Sequence, residues 1–191
     1  MVNVYCVKWG TKYDRGFVER LKTSIEKHFT IEHKFNCFTD RPEKDYDISI
    51  THPELRGVWH KLCLFQFTGK NLFFDLDIKI NDNIDFLTDD WNTFTCVDST
   101  PWKKRKIKTI AINNDTFINT SIMRWTDNRK VFDKFIKKRD LYLRLYQGID
   151  RYIWNEKIGP YTTFKGNAIS SWQEGIENNT IVLYNGRYED V

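Results

Sequence analysis

Apolar and polar positions alternate along the chain in a way that divides it into strands and helices. Val2 to Val7 is a short β-rich run, and Trp9, Gly10, Thr11 and Tyr13 follow it as a loop. From about Arg15 to Phe29, the residues Phe17, Val18, Leu21, Ile25 and Phe29 recur at steps of three and four. That spacing lines one face of a helix, with Asp14 as its expected N-cap. A second strand is expected at Lys34 to Phe38, closed by the turn-forming Thr39-Asp40-Arg41-Pro42, and a third at Asp47 to Ile50. Gly57 to Phe67 (GVWHKLCLFQF) reads as a short buried helix with Val58, Leu62 and Phe65 inward. In Asn71 to Ile80 (NLFFDLDIKI), Leu72, Phe73, Phe74, Leu76 and Ile78 run together without polar alternation, which describes a strand buried on both faces.

Beyond it come a turn at Asn81-Asp82-Asn83 and strands at Thr93 to Val97 and Thr116 to Trp125. Lys130 to Tyr146 then reads as one amphipathic helix, with Val131, Phe132, Phe135, Ile136, Leu141 and Leu145 on one side and Gly148 as its stop. A short helix around Asp150 to Trp154 and a strand at Thr180 to Tyr184 complete the pattern. The order β, α, β, β, α, β in the first half predicts an α/β fold: a single three-layer α/β/α domain with a mixed, mostly parallel sheet. No repeat or linker interrupts the 191 residues, a length that fits one domain.

Composition narrows the class. With 40% hydrophobic and 29% charged residues the chain is globular rather than disordered. No apolar stretch approaches the roughly 20 residues needed to span a bilayer. The opening MVNVYCVKWG lacks the layout of a signal peptide, so a cytoplasmic location is expected. Cys6, Cys37, Cys63 and Cys96 form no CxxC pair and read as buried free thiols. His28, His33, His52 and His60 lack metal-site spacing and read as surface or cleft residues. A net charge of +4 suits an anionic ligand and falls far short of a dedicated nucleic-acid binder. The basic loop Lys103-Lys104-Arg105-Lys106, beside Trp102, is either solvated or a contact for a diphosphate or an acidic acceptor.

Asp75 and Asp77 are the chemically informative residues. Carboxylates are costly to desolvate, so acids ending a buried strand belong at a wet cleft, beside a cation, or in a turn. In α/β sheets, ligands collect at the carboxyl ends of strands where strand order reverses. Two carboxylates one residue apart can hold a divalent cation. Hard oxygen ligands select Mg²⁺ or Mn²⁺, which keep open positions for phosphate oxygens.

NLFFDLDIKI, preceded by GVWHKLCLF, resembles the core of A-type glycosyltransferases: a Lys-bearing helix, a strand ending in Leu-Asp-x-Asp, then a further short strand. Three other stretches match in order. VYCVKWGTKY resembles the family's nucleotide-binding entrance, INTSIMRW its Asn-x-x-Val-Met-x-Trp strand, and IVLYNGR its Phe-His-Gly-Arg terminus. The resemblance implies a Rossmann-like fold with a nucleotide-binding part at about 1–98 and an acceptor-side part at about 99–191. It implies transfer of a sugar from a nucleotide-diphosphate donor, a UDP-sugar by preference, to an acceptor hydroxyl on a glycan, a lipid-linked sugar or a protein.

The resemblance also implies site roles. Asp75 and Asp77 would hold Mn²⁺ or Mg²⁺, with Asp77 the firmer ligand and Asp75 shared with the donor. Asn185 stands where the family commonly has its last metal ligand, a His. Lys61 would face the donor, and Asp150 would be the acid near the reacting sugar or, equally, a helix N-cap. Tyr13 would stack on the base while the backbone near Val7 and Thr11 reads its edge. Asn119, Ser121 and Trp125 would line the sugar and acceptor side. The absence of a clear base points to retention of configuration.

Two readings from other classes compete. A nucleotidyltransferase would use the same carboxylates, but it ordinarily needs a Gly-rich, Lys-containing phosphate loop, of which KWGTKY is a poor version. A non-catalytic carbohydrate- or nucleic-acid-binding protein could be built on the aromatics and the basic loop, including a degenerate transferase fold weakened by Asn185.

Overall fold

The computed structural model describes residues 1–103 and 116–187. Its elements are β1 (Val2–Lys8), α1 (Arg15–His28), β2 (His33–Thr39), β3 (Asp47–Ser49), a 3-10 helix (Gly57–Gln66), β4 (Lys70–Phe74) and β5 (Ile78–Ile80). After these come β6 (Phe94–Asp98), β7 (Ile118–Thr126), α2 (Lys130–Lys137), α3 (Arg139–Leu145), α4 (Ile149–Asn155), β8 (Tyr161–Thr163), β9 (Ile169–Ser171) and β10 (Ile181–Leu183). Seven strands form one sheet in the order β3-β2-β1-β4-β7-β6-β8, and β5-β10-β9 form a second. In the larger sheet only the β4–β7 and β6–β7 pairs are antiparallel.

Strand alternation distributes the core. On β1, Val4 and Cys6 point to one side and Tyr5 to the other; on β4, Leu72 and Phe74 oppose Phe73. The first side is covered by α1 through Val18, Leu21 and Ile25. The second lies under the 57–66 helix, α2 and α4, through Leu62, Phe65, Phe135 and Tyr152. These are the three layers that the sequence predicts. The chain passes from β1 outward to β2 and β3, then returns to β4 on the other flank of β1. Strand order therefore reverses between β1 and β4, where a crevice opens beyond their carboxyl ends.

Several expectations change. Residues 71–80 are not one strand. β4 stops at Phe74, and Ile78–Ile80 pairs antiparallel with β10 in the second sheet, so residues 75–77 cross a gap between sheets. The expected 130–146 helix is broken at Lys138, whose φ of −135° is not helical. The break turns the later part, so Tyr142 is buried while Leu141 and Leu145 are exposed; Ile136, ahead of the break, is exposed on α2. Gly148 does not stop that helix; it is the N-cap of α4. Val58 is exposed and His60 is fully buried. Asp14 occupies the N-cap position of α1 without a side-chain cap bond. All four cysteines are free and buried, as expected. No helix among the described residues is long and apolar enough to cross a membrane.

Trp125 is fully buried, with ring centroids 4.9 Å from Phe65 and 6.3 Å from Tyr5. It joins β7 to the 57–66 helix that carries Lys61. Trp125→Ala should cost ~3–5 kcal/mol and lower Tm by roughly 10 °C or more. Ile136→Ser, at an exposed position, should change stability by no more than about 0.5 kcal/mol. Thermal and urea unfolding of the two variants measure the contrast.

Candidate active site

The crevice at the β1–β4 reversal is a cleft of about 820 Å³, a size usual for a small-molecule site. Several parts of the chain build it. The end of β1 contributes Val7, the loop after it Thr11 and Tyr13, and the 57–66 helix Lys61. The segment between the two sheets contributes Asp75 and Asp77; β7 and α4 contribute Asn119, Ser121 and Asp150. Asn185 and Gly186 close it from the C-terminal side, carried there by the pairing of β10 with β5.

The two acids sit in different settings. Asp75 follows the last residue of β4, and its backbone N–H donates to the Ser121 carbonyl at 2.8 Å. Its Oδ2 accepts a hydrogen bond from Lys61 Nζ, also at 2.8 Å. Lys61 is buried, 3.5 Å from the Thr120 carbonyl and 5.2 Å from the Phe73 ring centroid. Burial foremost pushes the Asp75 carboxyl up to about 6; the Asp77 charge adds to the rise, while Lys61 and a hydrogen bond from Ser121 oppose it. Asp77 is buried, its Oδ2 accepts from the Gly186 N–H, and its carbonyl accepts from the Tyr184 N–H at 3.0 Å.

Asn185 has a left-handed backbone (φ 51°) that turns its side chain back on the cleft. Its Nδ2 donates to Ser171 Oγ at 2.8 Å, which orients the amide oxygen toward Asn119 Nδ2, 3.4 Å away. Asn119 Oδ1 in turn accepts the Ser121 N–H at 2.8 Å. Asp150 is in the first turn of α4, two residues past its N-cap Gly148, so it is not the cap. Its Oδ1 accepts from the N–H and the hydroxyl of Thr120. Lys103 donates to the Ile118 carbonyl at 2.9 Å, and burial lowers its pKa against the pull of Asp150. The other residues of the basic loop, Lys104, Arg105 and Lys106, lie outside the described residues.

A divalent cation fits this donor set. Two carboxylates share one cleft, only Asp75 is bound by a lysine, and the carboxyl of Asp75 is raised partly because Asp77 stands near it. The Asn185 amide oxygen lines the same cleft, facing Asn119, and oxygen donors of this kind suit Mg²⁺ or Mn²⁺. Among the described residues no cluster of three His, Cys, Asp or Glu side chains offers a competing metal site.

Of the residues singled out from the sequence, Trp125 alone does not line the cleft. A register shift opposite Cys96 and Val97 breaks the alternation of β7. The side on which Asn119 and Ser121 lie therefore does not predict the side of Trp125, which enters the core. Lys12 and Thr120 line the cleft without having been singled out. Lys12 Nζ is 3.6 Å from the place a Cβ on Gly186 would occupy, beside the Asp77 contact. Its only sequence signal is proximity to Tyr13; the Thr120–Asp150 contact spans 30 residues and leaves none.

No family model matches the sequence, and no curated protein matches it. Solved structures do. An active-site variant of LgtC, which a second structure describes as a galactosyltransferase with donor and acceptor sugar analogs, matches at 12% identity and TM-score 0.69, covering 96% of this chain and 87% of that one. The glycosyltransferase GlyE of Streptococcus pneumoniae TIGR4 matches at 12% identity and TM-score 0.68, over 96% of this chain and 55% of that one. A glycosyltransferase involved in glycosylation of the major capsid of PBCV-1 matches at 12% identity and TM-score 0.62, over 97% and 93%. The chain has the A-type glycosyltransferase fold.

The raised Asp75 value sets a pH dependence. The folded chain holds this proton more tightly than the unfolded chain. The group's contribution to stability is therefore fully present below the ordinary carboxyl range and is lost as pH rises through about 6. Lys61→Met removes the main opposing charge and should move the Asp75 midpoint above the wild-type value. Carboxyl-carbon NMR titration of both metal-free proteins reads the shift, and an unchanged midpoint would contradict the pairing.

Proposed function

We propose that the protein is a metal-dependent glycosyltransferase, moving a sugar from a nucleoside-diphosphate donor, a UDP-sugar on this reading, to an acceptor hydroxyl. The observation that carries the reading is the placement of Asp75 and Asp77 at the strand-order reversal of an A-type glycosyltransferase fold, one bound by Lys61 and the other by the Gly186 N–H. Asp75, Asp77 and Asn185 would hold Mn²⁺ or Mg²⁺. Such an ion, when bound, offsets the charge on a departing diphosphate.

The chain's own residues supply the rest. Lys61 fixes the Asp75 carboxylate and acts as a positioning residue rather than a reacting one. The loop from Val7 to Tyr13 forms the base side, with Tyr13, half-buried and edge-on to Phe17, available to stack. Asn119, Ser121 and Asp150 form the sugar and acceptor side, where orientation of the acceptor hydroxyl lowers the barrier. Two of the acids in the lining, Asp75 and Asp77, would be taken by the cation. The third, Asp150, has Oδ1 held by Thr120, and the described lining includes no histidine or glutamate. With no free general base in view, we read the transfer as retaining. The nucleotidyltransferase alternative gains nothing, because the loop after β1 has a single glycine, Gly10.

With Mn²⁺ present, purified protein should release UDP from at least one UDP-sugar, and chelation should abolish release. Asp77→Ala should lower kcat/KM by roughly 100-fold or more, the scale expected when electrostatic stabilisation of a leaving group is lost. Unchanged release by that variant would refute the mechanism. Pyrophosphate release from a nucleoside triphosphate would instead favour nucleotidyl transfer.

A further inference from the structure

The charges that line the cleft are unevenly distributed. Lys12, Lys61, Lys103 and Arg151 stand on its wall with Asp75, Asp77 and Asp150. At the Asp75–Asp77 end the two signs are matched. Lys61 is bound to Asp75, and Lys12 Nζ comes within 3.6 Å of the place a Cβ on Gly186 would occupy, beside the N–H that donates to Asp77. At the other end Lys103 and Arg151 stand with the single acid Asp150, which leaves one excess positive charge.

Lys103 is the least balanced of these groups. It is half-buried and donates to the Ile118 carbonyl at 2.9 Å, and among the described residues no carboxylate pairs with it. Burial foremost lowers its pKa; Asp150 opposes the fall and Arg151 adds to it, so both charges lie within electrostatic reach of the ammonium. Asp150 turns its Oδ1 to the N–H and hydroxyl of Thr120. Arg151 donates to the side-chain oxygen of Gln147, another residue of the cleft wall. A guanidinium and an ammonium beside one carboxylate suit a second anion. One unit of excess charge matches a carboxylate, singly charged at neutral pH, better than a phosphate monoester with nearly twice that charge.

Position separates this anion from a diphosphate. Lys103 is held at Ile118, whereas Asp75 is bonded to Ser121, three residues further along β7. Three residues of chain span at most roughly 10 Å. Between the two ends, Thr120 meets Asp150 through its N–H and Lys61 through its carbonyl. A diphosphate at Asp77 would therefore have room for a sugar ring between itself and Lys103. We propose that Lys103 and Arg151 bind the carboxylate of an acidic sugar, so that the cleft selects a uronic acid over a neutral hexose. On the transfer reading, on which this proposal rests, the acid belongs either to the transferred sugar or to the accepting one, and the same two bases meet it.

Calorimetry with Mn²⁺ present separates the outcomes without turnover. If the donor carries the acid, UDP-glucuronate or UDP-galacturonate should bind roughly tenfold or more tightly than UDP-glucose or UDP-galactose, the scale of one charge-assisted pair. If the acceptor carries it, acidic and neutral donors should bind alike, and D-glucuronate or D-galacturonate, but not the neutral sugars, should bind the protein loaded with Mn²⁺ and UDP. Either preference should vanish in Lys103→Met, persist in Lys103→Arg and weaken in Arg151→Met, while UDP itself binds each variant as tightly as wild type. Absence of both preferences in wild type, or a preference that survives in Lys103→Met, would overturn the proposal. So would weaker binding of UDP itself by a Lys103→Met protein of wild-type Tm, because Lys103 would then grip the diphosphate. UDP that fails to bind wild type would overturn the transfer reading and this proposal with it, whereas intact UDP binding without an acid preference overturns the proposal alone.

Discussion

Two carboxylates confined where the chain leaves one sheet for another impose the constraint on which the rest of the site depends. Asp75 and Asp77 lie in the gap between β4 and β5, and one buried lysine is bound to Asp75. Desolvated negative charge of this kind is tolerated only with partners. The partners come from several regions of the chain: Lys61 before β4, the Ser121 side chain from β7, and the Gly186 N–H near the end. Each satisfies part of the charge, and the elevated Asp75 carboxyl is the part left over. A divalent cation held by the two acids would offset that charge.

The architecture follows from holding that gap open. β4 is buried on both faces, and its neighbours β1 and β7 fix where it stops. The second sheet then carries residues 184–187 back to Asp77, because β10 pairs with β5. Without that small sheet the acids would face solvent on one side and the Asn185 amide would have no route to the cleft. Trp125 and Phe65 seat the 57–66 helix on the larger sheet, so core packing sets the position of the Lys61 ammonium.

Much of this was legible in the sequence where elements are long. The three- and four-residue steps of Phe17 to Phe29 specified α1, and the unbroken apolar run at Leu72 to Phe74 specified the central strand. The second sheet was not legible, since Ile78–Ile80 and Ile169–Ser171 are too short to display a period of two. The break at Lys138 has no proline or glycine to announce it; packing of Tyr142 against Phe135 and Tyr152 outweighed the continuous helical pattern. For the cleft, residues near in sequence to a strand end were readable, whereas contacts such as Thr120 with Asp150 exist only once the fold brings them together. Trp125 shows the limit of strand alternation, which a bulge resets.

The central claim is that Asp77, with Asp75, binds a divalent cation that also binds a diphosphate. A crystal soaked with Mn²⁺ and UDP tests it most directly, because manganese scatters anomalously and marks its own position. The account predicts an anomalous peak in contact with Asp77 and with the diphosphate oxygens of UDP, the base lying against the Val7 to Tyr13 loop. UDP bound in the cleft with no metal at Asp77, or metal and nucleotide bound apart from each other, would contradict it.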